Sequence, residues 1–278
     1  MLIEHSKEVI KKAITDFKPK AIVLMFSGGD DSLTAYHVSK ELGVKIDYVM
    51  HGHTGTGIKE TFDFVKKETE RNDDRFLLAD AKYSYIDYIL RKGFFGKGID
   101  AHIYAYHILK IMHFRKAISH SLRKRKRNFP ILLINGARRK ESENRMKTMV
   151  NPYKIDPNSK NNIWVNVINE WEKHDCIDYL EGNTIKRNEV SKNLCRSGEC
   201  MCGTMQSNGD RNEASFFYPE WGKWLNGLEK EVIKKFPWKW GESINRRHYQ
   251  EMKGQTNMFS DFQPMCTGCK LSFEKTNK

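Results

Sequence analysis

Residues 27 to 32 read Ser27-Gly28-Gly29-Asp30-Asp31-Ser32, directly after the apolar run Ala21-Ile22-Val23-Leu24-Met25-Phe26. Ahead lies Leu33-Thr34-Ala35-Tyr36-His37-Val38, which has helical spacing. A buried strand, a glycine turn and a helix start make a phosphate cradle. The glycines let the backbone turn tightly and expose successive N–H groups. The helix N-terminus adds partial positive charge at the same point. Ser27 and Ser32 supply hydroxyl donors, and Asp31 is placed to hold the magnesium that accompanies a nucleotide polyphosphate. No Gly-Lys-Ser/Thr follows at Walker spacing, so the loop is of another kind.

Two further segments carry groups suited to the same chemistry. His51-Gly52-His53-Thr54-Gly55-Thr56-Gly57 sets three glycines between hydroxyls and imidazoles, a second backbone-rich wall beside the first loop. Asn135-Gly136-Ala137-Arg138-Arg139 follows the apolar run Ile131–Ile134 and continues to Arg145. The planar guanidinium fork donates two parallel hydrogen bonds to phosphate oxygens. Arg138, Arg139 and Arg145 are therefore candidates to clamp a polyphosphate or neutralise charge developing on it.

Cysteines form the third cluster. Cys200 and Cys202 are a C-x-C pair, Cys266 and Cys269 a C-x-x-C pair, and 63 residues lie between the pairs. Two close pairs from distant segments are how four thiolates reach one centre. The set suits zinc or a 4Fe–4S cluster, and spacing does not separate the two. Cys195 is an alternate ligand, or a thiol that accepts persulfide sulfur. Cys176, alone in a helical stretch, reads as packing.

These groups need a scaffold that brings strand ends together. Runs at Val44–Tyr48, Arg75–Ala79 and Ile131–Ile134 are strand-like, as is Ala21–Phe26; segments 58–71, 84–92, 101–127 and 139–147 are helix-like. Glu4 to Lys20 reads as a surface helix. The alternation predicts an α/β fold, a doubly wound and mainly parallel sheet with helices on both faces. Ligands of such sheets bind at the carboxyl ends of the strands, where residues 27–32 fall. Residues 151–162 read as a loop, followed by the short run Ile163–Ile168 and a helix over Glu170–Leu180. From about residue 185 the chain holds five of its six cysteines and little strand signal. The expected division is a nucleotide-binding domain over 1–184 and a helical, cysteine-rich, metal-binding region over 185–278.

The net charge of +13 favours polyanionic partners, nucleic acid among them. Arg123-Lys124-Arg125-Lys126-Arg127 is the densest basic run; it reads as a solvated helix end or a phosphate-backbone contact. Phe217, Trp221 and Trp224 have helical spacing and read as a packing face more than a base-stacking one. No apolar stretch of membrane-spanning length and no signal segment is present, so a cytoplasmic location without membrane contact is expected. In that reducing compartment cysteines serve as ligands or reactive thiols.

The loop at 27–32 resembles the SGGxDS pyrophosphate loop of the ATP-pyrophosphatase superfamily, the adenine nucleotide alpha-hydrolase-like proteins. Thr54-Gly55-Thr56-Gly57 with Glu60 and Thr61 resembles the pocket-lining segment of the phosphoadenosine-phosphosulfate (PAPS) reductase-like members. Gly136 and Arg138 through Glu141, Ser142 and Arg145 resemble their GxRxxES…R motif, in which Glu141 and Ser142 would cap the helix and orient the arginines. The likeness spans most of residues 21 to 205, through Trp164–Ile168, Asn188 and Arg196–Gly203. It implies a site for ATP built from Ser27, Gly28, Gly29, Asp30, Asp31, Ser32, Thr54, Gly55, Thr56, Gly57, Glu60, Thr61, Gly136 and Arg138. Catalytic roles fall to Asp31, Ser32, Arg138, Arg139 and Arg145, with magnesium on Asp31. Similarity to sulfur-transfer relatives favours a 4Fe–4S cluster on Cys200, Cys202, Cys266 and Cys269, with zinc the alternative.

The expected activity is an ATP pyrophosphatase that adenylates an acceptor for sulfur incorporation, as in bacterial DNA phosphorothioation. Expected partners are DNA or tRNA as substrate, a cysteine desulfurase as sulfur donor, and other subunits of a modification complex. A reductase releasing sulfite from PAPS is one alternative. Such reductases carry a catalytic cysteine in a Glu-Cys-Gly-Leu-His context, and this chain reads Cys266-Thr267-Gly268-Cys269-Lys270-Leu271-Ser272 instead. A tRNA-thiolating enzyme and a nucleotide-sensing or nucleic-acid-binding subunit complete the alternatives.

Overall fold

The computed structural model describes residues 1–122, 129–156 and 159–244. All five residues of β1 (Ala21–Met25) are buried. A strand apolar on both faces belongs inside a parallel sheet. It pairs in parallel with β2 (Tyr48–His53) on one side and with β4 (Ile131–Asn135) on the other. With β3 (Phe76–Asp80), β5 (Tyr153–Asp156) and β6 (Ser159–Asn166), the described strands lie in the order β3-β2-β1-β4-β6-β5. Among them β5 is the antiparallel edge.

Two cores flank the sheet, as the period-two geometry of β1 requires. Ile22, Leu24 and Phe26 pack with Val9, Ile10 and Ala13 of α1 (Leu2–Phe17), Leu33 and Tyr36 of α2 (Asp30–Glu41), and Trp171. Ala21, Val23 and Met25 pack with Leu133 and with Phe114 and Ile118 of α6 (Met112–Ser121). Leu24 is fully buried, and truncating such a leucine to alanine costs about 2–5 kcal/mol.

The remaining helices are α3 (Lys59–Arg71), α4 (Lys82–Lys92), α5 (Ile99–Tyr106), α7 (Glu143–Thr148), α8 (Lys173–Gly182), α9 (Glu189–Leu194), α10 (Asn208–Phe217) and α11 (Pro219–Val232). Reciprocal capping boxes open α8 (Glu172 with Asp175) and α10 (Ser207 with Asp210). Met1–Glu242 form one compact unit, which takes in residues 185–242. Indole N–H groups pin that later part to main-chain carbonyls. Trp221 Nε1 donates to Thr56 O at 3.0 Å, and Trp240 Nε1 to Met201 O at 2.9 Å. Of the expected packing face Trp221 is buried and Trp224 half-buried, but Phe217 is exposed, as is Phe216; Trp238 and Trp240 are buried.

Several elements depart from expectation. The second strand is Tyr48–His53, not Val44–Tyr48. Residues 44–47 form its approach, where Asp47 Oδ2 accepts from Ile22 N at 2.8 Å. Residues 151–162 are not simply a loop, since β5 and the start of β6 form an antiparallel pair there. The expected helix over 139–147 is a 3-10 turn, Arg139–Glu141, and then α7 with Ser142 accepting from Arg145 N as its cap. The expected helix over 101–127 is interrupted by a π-helical turn at His107–Ile111. The basic run Arg123–Arg127 lies outside the described residues. No described helix is long and apolar enough to cross a membrane.

Candidate active site

Sheet order reverses between β1 and β4, and a crevice opens there beyond the strand ends. A cavity of about 800 Å³ occupies it, lined by Ser27, Gly29, Asp30, Asp31 and Ser32 from the loop after β1. Across the gap Gly136, Arg138, Glu141 and Arg145 line it from the loop after β4. Gly28 holds φ +83°, and a Cβ there would meet Thr61 Cγ2 at 2.8 Å. At Gly136 an added Cβ would stand 2.4 Å from Asp31 O and 2.7 Å from Ser32 N. Glycine lets these two loops close on each other.

Ser32 Oγ donates to Gly29 O at 2.9 Å, lies 3.1 Å from Ser27 Oγ, and accepts from Ser27 N at 3.3 Å. This knot holds the loop in its turn at the start of α2. Asp31 faces the cavity. Its Oδ2 is 3.0 Å from Arg138 Nε, near enough for an ion pair though not aligned as a hydrogen bond, and its Oδ1 is 3.4 Å from Lys173 Nζ. Asp30 has a different role. It is buried, takes both arms of Arg187 at 3.2 and 3.0 Å, and accepts from Lys173 at 2.9 Å. Burial pushes its carboxyl up, but the Arg187 and Lys173 hydrogen bonds outweigh that and hold it below the ordinary range.

The arginines separate. Arg138 is buried in the cavity wall. Arg145 lines the cavity with its guanidinium on Glu141. Arg139 turns to Glu170 at 3.6 Å and to the Met146 carbonyl at 3.4 Å, and is not in the lining.

Thr54, Gly55, Thr56, Gly57, Glu60 and Thr61 do not line the cavity. Thr54, Thr56, Gly57 and Thr61 form the seat of the loop over 197–203, whereas Gly55 packs on Lys82 and Glu60 is exposed. Thr54 N and Oγ1 donate to Glu199, Thr56 Oγ1 accepts from Met201 N at 2.9 Å, and Thr61 Oγ1 donates to Ser197 O at 2.5 Å. Gly57 is close-packed, since a Cβ would meet Glu199 O at 2.5 Å. Ser197, seated this way, enters the cavity wall together with Cys195 and Arg196.

Cys200 and Cys202 lie in the same loop with their sulfurs 3.9 Å apart. The Cys200 S–H donates to Cys202, and with Thr204 beside it this lowers the Cys202 thiol below its ordinary range. The fully buried Tyr85 hydroxyl has no hydrogen-bond partner among the described residues; burial first, and then the charge of Cys202 and Cys200, pushes it up. Lys110, from the π turn, lines the cavity; burial pulls its ammonium down, but Cys200 and Glu199 raise it overall. Soft thiolates, a cation and an unpaired O–H donor fit a thiolate-held metal, and a 3.9 Å separation fits two neighbouring ligands of one tetrahedral ion, where Zn–S bonds of about 2.3 Å put sulfurs about 3.8 Å apart. In a 4Fe–4S cluster each thiolate takes its own iron. Cys266 and Cys269 lie outside the described residues, and among those described no group of three or more His, Cys, Asp or Glu gathers for a metal. Cys195, at the end of α9 with φ 53°, is exposed. Cys176 is buried in the core, and burial pushes its thiol up to about 12.

Sequence reasoning did not single out Lys173, Arg187, Lys110 or Glu199. Lys173, Arg187 and Lys110 reach the site from distant elements with no local spacing to mark them, and Glu199, though inside the Arg196–Gly203 run, takes its role from His51, 148 residues away.

A strand, glycine loop and helix start at the reversal point of a parallel sheet, faced by a buried arginine and a half-exposed lysine, is the architecture of nucleotide-binding α/β proteins. The Phosphoadenosine phosphosulfate reductase domain family matches residues 21–205, and the chain belongs to it. An uncharacterised protein of Methanocaldococcus jannaschii is 28% identical over 251 residues, 87% of this chain. The chain spans only 57% of that relative's length. Among solved structures, a PAPS reductase from Candida auris in a phosphate complex aligns over 67% of this chain and 83% of its own, with 14% identity and a TM-score of 0.48. A U34-tRNA thiolase from Methanococcus maripaludis with its 4Fe–4S cluster aligns over 96% of this chain and 81% of its own, with 14% identity and a TM-score of 0.44.

Proposed function

We propose that the protein is an ATP pyrophosphatase that adenylates an acceptor for sulfur incorporation, with a DNA phosphate as the acceptor. The observation that carries the reading is the paired wall of Asp31, Arg138 and Lys173 over the Ser27–Ser32 loop. Ser27, Gly29 and the start of α2 receive the β and γ phosphates. Arg138, Arg145 and Lys173 neutralise charge building on the departing pyrophosphate and orient the α-phosphorus toward the acceptor. An acceptor oxygen forms a bond to that phosphorus, the α–β bond breaks, and pyrophosphate takes the electron pair. A persulfide, delivered by a cysteine desulfurase, then displaces AMP from the acceptor, and a second thiol cleaves the S–S bond to free the thiolated product.

Asp31 would hold magnesium together with the phosphates, a single carboxylate beside polyphosphate oxygens being the donor set this ion takes. Bound there, magnesium supplies charge neutralisation for the leaving group. Cys200 and Cys202 would contribute thiolates to a zinc ion or a 4Fe–4S cluster. The basic net charge supports a nucleic-acid partner in the cytoplasm.

The test is pyrophosphate release from ATP and magnesium, stimulated by DNA and measured for the native protein and for Asp31→Ala. Release that survives the substitution, or is absent from both, rules the reading out. Family membership favours one second reading, sulfite release from PAPS. Activity with PAPS and a thiol donor, and none with ATP, would establish it.

A further inference from the structure

One peptide plane in this site faces two ways. Phe26 and Ser27 share it: the Phe26 carbonyl accepts from His51 Nδ1 at 2.8 Å, and the Ser27 N–H donates to Ser32 Oγ inside the phosphate loop at 3.3 Å. A carbonyl only accepts, so His51 Nδ1 carries the hydrogen. On its other side His51 Nε2 lies 2.9 Å from Glu199 Oε2. Glu199 Oε1 accepts from Thr54 N at 2.8 Å, and Glu199 is the residue before Cys200. His51 is 0% and Glu199 1% exposed. A continuous path thus runs from the Ser27 N–H through the buried imidazole and carboxylate to the thiol pair.

We propose that His51 and Glu199 are positioning residues forming a strut between the phosphate loop and the Cys200–Cys202 pair, so that nucleotide binding changes how the two thiols are presented. The inference rests on the nucleotide reading above. The peptide unit is planar, so a phosphate that draws the Ser27 N–H rotates the Phe26 carbonyl with it. The imidazole follows the carbonyl, and Glu199 follows the imidazole. Phe26, His51 and Glu199 are each at most 1% exposed, so bulk water does not reach the middle of this path.

Thiol alkylation resolved by peptide mass mapping tests this, with ATP binding measured in parallel by calorimetry. In the native protein, saturating ATP and magnesium should change the alkylation rate at Cys200 or Cys202 by about threefold or more; Cys195, in the cavity wall, is scored separately as direct shielding by nucleotide. Glu199→Gln keeps an acceptor for Thr54 N and an amide donor for His51 Nε2, so it should retain the response. Glu199→Ala and His51→Gln should lose it while still binding ATP. Bound ATP without a thiol response in the native protein overturns the strut and leaves the nucleotide reading standing. Absence of ATP binding removes both. A response that persists in Glu199→Ala also overturns it.

Discussion

Arg138 Nε stands 3.0 Å from Asp31 Oδ2 across the gap between the exits of β4 and β1. The pair joins the two loops on which the cavity depends. Arg138 is 7% exposed, so its charge relies on Asp31, the carboxylate that a phosphate would replace under the proposed reading. A buried cation with one carboxylate nearby is well suited to exchange that partner for a phosphate oxygen.

Arg138→Met should therefore lower pyrophosphate release by about 100-fold, the range seen when one preorganised donor is removed from a developing charge. Steady-state kinetics would show the loss mainly in kcat. A change confined to KM would mean that Arg138 binds ground state and transition state alike.

Two glycine substitutions should act in opposite directions. Gly136→Ala would press a methyl against Asp31 O at 2.4 Å, backbone that cannot yield, and should abolish ATP binding in calorimetry. Gly227→Ala, inside α11 with nothing within 4 Å of the new Cβ, should raise stability by about 1 kcal/mol in urea unfolding.

The charges around Asp30 set an acid limit. Its carboxyl is held below the ordinary value in the folded chain, so the stabilisation is fully present above the unfolded value of about 3.9 and is lost as pH falls through the folded one. Asp210, lowered to about 2, adds to the same limb. Arg187→Met leaves the buried Asp30 with Lys173 alone. It should cost about 3 kcal/mol near neutrality and move the acid unfolding midpoint to higher pH, followed by circular dichroism.

Cys202→Ser should remove the bound metal, read by elemental analysis of anaerobically purified protein, with iron and sulfide marking a cluster and zinc a single ion. Cys176→Ser should leave metal content unchanged and lower stability by about 1–3 kcal/mol, the cost of a hydroxyl placed in an apolar core.

What was legible in the chain was local. Residues 27–32 announce themselves because glycine, hydroxyl and carboxylate must be adjacent to make such a loop. The run Ala21–Met25 announces itself because a central parallel strand is apolar on both faces. β2 begins where the expected strand ends because His51-Gly52-His53 does not resemble a buried strand; it is buried because Glu199 and the Phe114 ring cover it. The β5–β6 pair hid in a polar stretch where only Tyr153 and Ile155 alternate as a strand should. Lys173 and Arg187 left no local trace, since their meaning comes from Asp30, 143 and 157 residues away.

The π turn at His107–Ile111 fits one more residue into its coil than a regular helix does. A chain one amino acid shorter there would close into a regular helix, in which four residues turn through about the angle that five turn through here, so α6 would keep its phase. Phe114 would still fill the space that Gly52 leaves, while Lys110, inside the turn, would lose its place beside the thiols. Natural homologues that lack the extra residue should therefore keep glycine at position 52 and differ at position 110.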